Sequence, residues 1–221
     1  MRRTLPTATA SMMKQMWDAA LVAVLAVLAG TGICAAMPME YDDLKPKEFA
    51  PYQLISDEGS YEVREYEPAA WACSVRDKIK SKREMMMMFV RLIQYINGEN
   101  SLGEELAMTG PMTMYKEMSE LTGIKKIEMC YYLPSRHQTS PPTPTVEDVV
   151  INRKDTMKVA VRSFLGKKLS MEDWEIQKFM LQKDLKEAGV KVVNYENCFG
   201  TMYYSPDKED YVTEIWYEMQ E

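Results

Sequence analysis

Histidine is almost missing from this chain of 221 residues, which has only His137. A Ser–His or Cys–His nucleophilic system would have to use it. It lies in "PSRHQTSPPTPTVED" (residues 134–148), a loop by its prolines, where a solvated histidine is expected. Cysteine is scarce too: Cys34, Cys73, Cys130 and Cys198 are far apart in sequence. No CxxC pair and no zinc-ligand spacing occurs. Cys34 falls in the leader described next, and an odd number cannot all pair internally. Cys73, Cys130 and Cys198 sit in strand-like runs and are expected to be buried free thiols. No glycine-rich phosphate loop is present, since Gly98 and Gly103 flank a turn and not a strand-to-helix crossover. Basic excess is also lacking. The formal net charge of −6 argues against a nucleic-acid partner. Carboxylates are plentiful, but none stands in an acid/base pairing, so the expectation is a protein that is not an enzyme.

What is present divides into three. Residues 1–36 carry Arg2, Arg3 and Lys14, no acid before Asp18, and then "AALVAVLAVLAGTGICAAM". The dense apolar part, 19–29, is short for a membrane span and suits a signal peptide. Cys34-Ala35-Ala36 supplies small residues for cleavage. A retained membrane anchor is the main rival, because the uncharged stretch reaches Met39. An organelle transit peptide and translation from Met37 are weaker rivals. The expected location is therefore the secretory pathway, with membrane contact only if the leader stays and a cytoplasmic form if Met37 starts the chain. No N-x-S/T sequon follows residue 36. Residues 37–51 read as an extended acidic segment, and 52–221 as the folded domain.

The domain repeats itself. "YEVREY" (61–66) and "AWACSVR" (70–76) read as strands. Ser81-Lys82-Arg83-Glu84 has capping-box spacing and opens a helix that stops at Asn97-Gly98. Strands follow around 106–115 and 126–133. After the proline loop come "VVINRK" and "TMKVAVRSFLG", then a helix opened by Ser170-Met171-Glu172-Asp173 and running to Gly189. "VKVVNY", "CFGTMYYS" and "YVTEIWYEM" close the chain as strands. Residues 61–133 and 149–217 share the order strand, strand, helix, strand, strand, with an extra strand in the second half. The pattern predicts an α+β fold: a duplicated, antiparallel, barrel-like sheet of about nine strands flanked by two α-helices.

Methionine is abundant, at 20 residues, and four of them run together in "EMMMMFVRLIQYI" (84–96). On a helix, Met85, Met88, Leu92 and Ile96 form one apolar stripe. Met86, Phe89, Val90 and Ile93 form a second stripe displaced to one side, while Met87 lies with Arg83, Arg91 and Gln94. The apolar arc is nearly twice the roughly 100° that seats a helix on a sheet. Either another part of the chain covers the surplus or it lines a pocket.

Several segments carry a resemblance. "GSYEVREYEPAAWACSV" (59–75), "YINGENSLGEELAMTGPMTMY" (95–115), "YYLPSRHQTSPPTPTVEDVVI" (131–151) and "EIWYE" (214–218) are similar to the SOUL/heme-binding protein family. The patterns are Y-E-x-R-x-Y, Y-I-x-G-x-N, M-T-x-P-V-T with Met112 in the Val place, the P-P-x-P loop and a C-terminal E-I/V-W. They occur in order over about residues 52–218. The resemblance implies a duplicated β-rich barrel with two helices that binds heme and other tetrapyrroles without known catalysis. In one branch heme lies in a shallow apolar cleft between the first helix and a loop before the last strand. The matching positions are Met86, Phe89, Val90 and Ile93 on the helix, with Tyr204 and Lys208 on the loop side. Lys208 is the cation for the propionates. Another branch has a histidine proposed as axial ligand where this chain has Glu65, and a carboxylate is a poor substitute for imidazole on heme iron. The expected ligand is heme or metal-free porphyrin held by apolar contact without a protein histidine. Met86 is the one thioether placed to reach iron.

Three functions remain open from the sequence. The first is a tetrapyrrole carrier or buffer. The second is a protein-interaction module on the same fold that has lost heme ligation and turns the apolar helix face to a partner. The third is a methionine-based Cu(I) site, which consecutive methionines on a helix serve poorly because they point in different directions.

Overall fold

A computed structural model describes residues 46–79, 81–119, 123–165, 171–205 and 210–220; for some residues, Tyr204 among them, it describes the backbone alone. Strands β1 (Glu48–Phe49) and β2 (Tyr52–Asp57) lead into β3 (Glu62–Tyr66) and β4 (Ala69–Asp77). Helix α1 spans Lys82–Ile96, followed by β5 (Thr109–Gly110), β6 (Met112–Ser119) and β7 (Gly123–Tyr132). The second half holds β8 (Val149–Lys154), β9 (Met157–Leu165), helix α2 (Met171–Glu187), β10 (Cys198–Ser205) and β11 (Asp210–Glu218). Among the described residues, nine strands form one curled antiparallel sheet in the order β2-β3-β9-β11-β10-β6-β7-β4-β8. The α+β class and the duplication are as the pattern predicted.

The topology adds a feature that the linear order hides. The first strand of each repeat has changed sides: β3 pairs with β9 of the second repeat, and β8 pairs with β4 of the first. The two half-sheets, β8-β4-β7-β6 and β3-β9-β11-β10, then join through β6 and β10.

Two strand assignments change. "VKVVNY" contributes only an isolated bridge, Val192 to Met219, and not a strand. Val192 is buried in the α2 cluster and Val193 N–H donates to Glu218 O at 2.8 Å, but Val193 is exposed and the pairing stops after this one bridge. The ninth strand is instead β2, in a stretch that reads as extended but carries no clean alternation; five of its six residues face solvent because it is the sheet edge.

Local chemistry explains the elements. Ser81 Oγ accepts the Glu84 N–H at 3.2 Å, as the capping spacing predicts. Gly98 takes φ +103° just past the end of α1, a conformation that favours glycine. In β4, Ala70, Ala72 and Ser74 face the helix side, and their small size lets α1 approach closely, while Trp71 and Cys73 face the interior. All five are buried, which is why β4 shows no polar alternation.

Three packed clusters result. Met85, Met88, Leu92 and Ile96 of α1 pack on the outer face of β4 and β7. Leu181 and Leu185 of α2 pack on Ala160, Ile215 and Tyr217 of the other half. Between them the inner faces meet around Trp71, Tyr66, Phe199 and Trp216. This interior also buries an ion pair, Arg64 Nη1 to Glu214 Oε1 at 2.9 Å. Trp216 Nε1 donates to the other Glu214 oxygen at 2.8 Å, and Arg64 Nε reaches Glu62 at 2.6 Å. Burial works against the Arg64 charge, but Glu214, Tyr66 and Glu62 outweigh it and raise its pKa.

The cysteine expectation is corrected. Cys73 and Cys130 are directly opposed in the β4–β7 register and form a disulfide. Sequence separation of 57 residues hid a pairing that only strand register brings about. Cys198 alone is a free thiol among the described residues.

Candidate functional site

The faces of α1 fall out as the helical period requires. Met85, Met88, Leu92 and Ile96 are buried, and Met87 is exposed. Of the surplus stripe, Met86, Phe89 and Val90 are half-buried, whereas Ile93 is buried in the core cluster. Phe89 also packs partly against that cluster.

The direction of this stripe follows from its opposite flank. Arg91 pairs with Asp148 at 2.5 Å, and Asp148 immediately precedes β8. The flank carrying Met86, Phe89 and Val90 is rotated well away from Arg91 around the helix, so it faces the other way along the sheet, toward β6. There the outer face of β6 shows Met112, Met114 and Lys116 at alternate positions, all half-buried. The next strand, β10, places Cys198 opposite Lys116 and Gly200 opposite Met114. Helix α2 borders the far side. Trp174 lies on Gly200 so closely that a Cβ there would meet its ring at 2.6 Å. The outer face of β6 and β10 thus lies between the two helices, a candidate trough with Met86, Phe89 and Val90 on the α1 side and Trp174 on the α2 side.

The electrostatics of the trough are uneven. Lys116 makes no ion pair within 4.0 Å among the described residues. Burial pushes its pKa down and nearby Lys178 adds to this, against Cys198 and Glu175, which pull it up. It is a cation held in a half-buried place that would be relieved by an anionic group. Sequence reading missed it, although the alternation Met112-x-Met114-x-Lys116 was the available signal.

The remaining predicted positions are spread out. Tyr204 lies in β10 with its backbone opposite Tyr211. Lys208 lies outside the described residues. Glu65 is in β3, flanked by Gln53 and Lys158 in the neighbouring strands. It therefore sits in the half-sheet that carries α2, away from the α1 stripe. His137 corrects the expectation of a solvated loop: it is buried in a 3-10 turn, Ser135–His137. Its Nε2 has no hydrogen-bond partner among the described residues, and Glu104 Oε2 stands 3.7 Å away. Burial and Arg136 lower its pKa, and Glu104 opposes them. The loop is ordered by specific contacts: Gln138 exchanges bonds with Ala70 at 2.6 and 3.1 Å, and Tyr95 OH donates to Pro142 O at 2.9 Å. A surface cavity of about 460 Å³ lies beside this loop, lined by Lys47, Glu48, Leu106 and Arg136, and involves none of the predicted positions.

A tetrapyrrole fits the trough by its chemistry. The walls and floor offer thioether, aromatic and aliphatic surface for a broad apolar ring, and Lys116 offers a cation for carboxylates. The single histidine, His137, lies in the turn Ser135–His137 of the proline loop.

Comparison with known proteins agrees with the fold. The model of the family described as SOUL heme-binding protein matches residues 47–218. Heme-binding protein 2 of Mus musculus is 33% identical over 77% of this chain and 83% of its own length. Heme-binding protein 2 of Homo sapiens is 34% identical over 72% of this chain and 77% of its own length. The crystal structure of the EcmrR C-terminal domain superposes with a TM-score of 0.51 at 11% identity, over 77% of this chain and 98% of that one. That last likeness concerns the fold alone.

Proposed function

This chain belongs to the SOUL heme-binding protein family, and from that premise we propose that it is a non-catalytic carrier or buffer for heme or a related tetrapyrrole. One observation carries the reading of the site: the surplus apolar flank of α1 faces a floor of methionines that ends in a half-buried lysine with no ion pair among the described residues. In this reading Met86, Phe89 and Val90 contact one face of the ring, with Ile93 supporting them from the core. Trp174 bounds the other edge. Lys116 takes the propionate side, a role that the sequence resemblance gives to Tyr204 and Lys208. In this reading iron contributes no strong bond, and Met86 offers at most a thioether.

The test is a titration of the purified protein with hemin, protoporphyrin IX and the protoporphyrin dimethyl ester. Hemin and protoporphyrin are expected to bind with similar affinity, and the ester more weakly. Lys116→Met should narrow the gap between acid and ester. A sharp six-coordinate hemin spectrum with no binding of the metal-free ring would overturn the reading.

A second reading, a protein-interaction module, has one observation in its favour. Ile176, Phe179 and Met180 are exposed on one face of α2. If neither porphyrin binds, that reading takes precedence.

A further inference from the structure

A second group of donor atoms lies in the sheet interior, on the face opposite the trough. Cys73 and Cys130 oppose each other across β4 and β7 with Cα atoms 4.1 Å apart, and both are fully buried. Glu128 precedes Cys130 by two residues and so projects on the same side of β7. Its Oε1 lies 3.1 Å from the Cys130 sulfur. One donor atom from each of the three residues falls within 4.8 Å of the others. Lys154 Nζ stands 2.6 Å from the same carboxylate oxygen and above the rings of Trp71 and Phe199, at 5.7 and 5.6 Å.

The carboxylate is poorly matched to a disulfide. A disulfide sulfur has no proton to donate, so the Glu128 oxygen beside it takes its bond from Lys154, at 2.6 Å, and none from the sulfur. The match is better in the dithiol state, where two thiolates and a carboxylate form a ligand set for a soft cation. Lys154 at 2.6 Å and the more exposed Lys126 at 4.0 Å stand against the carboxylate as counter-charges. A carboxylate among the ligands suits a borderline ion of the zinc class, which takes sulfur and oxygen together, better than Cu(I), which favours sulfur.

We propose that Cys73, Cys130 and Glu128, once reduced, form a binding site for a thiophilic divalent cation of the zinc class, with Lys154 as the positioned counter-charge. Reduction breaks the S–S bond. With a phosphine reductant, two electrons pass to the sulfurs, water supplies the oxygen of the phosphine oxide, and two protons complete the thiols. Metal binding then releases those two protons. Metal–sulfur bonds of about 2.3 Å at a tetrahedral angle place the sulfurs roughly 3.8 Å apart, so closing the disulfide and holding the ion exclude each other. Water completes the fourth position. Either state ties β4 to β7, and the redox poise of the compartment decides which one is present.

The experiment uses the full chain reduced by a phosphine without oxygen and titrated with cadmium chloride. One equivalent is expected to bind, with sulfur-to-cadmium charge-transfer absorption in the ultraviolet. The oxidised protein should show no such band, Cys73→Ser should abolish it, and Glu128→Gln should weaken binding at least tenfold while leaving the thiol count unchanged. If reduction loosens the fold, recovery of the circular dichroism on adding cadmium supports the site, and failure to recover overturns it. Absence of the band in folded reduced protein, or its persistence in Cys73→Ser, also overturns it.

Discussion

Replacing Met86 and Val90 together tests the trough most directly. Both side chains are half-buried on the flank that faces β6, and neither belongs to the buried cluster under α1. Covering the rest of each with a porphyrin face would remove about 40 Å² of apolar surface from water, worth about 1 kcal/mol apiece. Changing both to alanine should therefore cost about 2 kcal/mol of binding, or roughly a 30-fold rise in Kd. Changing both to aspartate adds the desolvation of two charges against the ring and should raise Kd by roughly 100-fold or more. The same change at Ile93 would be uninformative. That side chain is only 8% exposed within the core, so a charge there attacks the fold itself. The assay is quenching of tryptophan fluorescence by hemin and by protoporphyrin IX, with thermal unfolding run in parallel. A Kd within threefold of the parent, in a double aspartate variant that still unfolds cooperatively near the parent Tm, would refute the placement of the ligand.

Other outcomes follow from the same geometry. Breaking the Cys73–Cys130 bridge opens a loop with a sequence separation of 57 residues; chain entropy puts its loss at about 4 kcal/mol. A melt in chelator should therefore fall by roughly 10 °C on reduction, and an unchanged Tm would contradict the bridge. Gly200→Val drives a side chain into the Trp174 ring, which should cost about 1–3 kcal/mol and shift tryptophan emission to the red; unchanged emission would count against that contact. For His137, a pKa below its ordinary 6.5 in the folded state means that the unfolded chain binds its proton first as pH drops. Its contribution is thus present above pH 6.5 and is lost as pH falls from there toward the lower folded value. The difference in stability between parent and His137→Gln should change over that window, and a flat difference would contradict a buried neutral imidazole.

How legible the site was depends on the range of the contacts involved. The faces of α1 were readable because a 3.6-residue period acts within a few turns, and Met85, Met87 and Met88 fall where that period puts them. Ser81 and Gly98 were readable for the same reason, since caps are made by neighbours in sequence. The bridge between Cys73 and Cys130 was not readable, because it depends on the register of β4 against β7. Lys116 is not legible in sequence because its significance lies in half-burial on the outer face of β6 without an ion pair among the described residues, which only the packing of the strands brings about. The burial of His137 is not legible in a proline-rich run, because Gln138, Tyr95 and Arg153 anchor that loop to the strands and helix beside it through contacts distant in sequence. Glu65 was placed by resemblance, and its distance from the α1 stripe emerges only from the sheet order.

The traded strands bear on how the molecule behaves when its chain is cut. A protease acting in the stretch between β7 and β8 would separate a piece ending in β7 from a piece beginning at β8. The first piece still holds β3, seated against β9 of the second, and the second still holds β8, seated against β4 of the first. Neither piece owns all the strands of a half-sheet, so each would expose a bare edge alone and recover a partner only by rejoining the other. The nicked protein should therefore stay together as a non-covalent pair. The same property suits it to fragment complementation, with reassembly of the two pieces as the reporter.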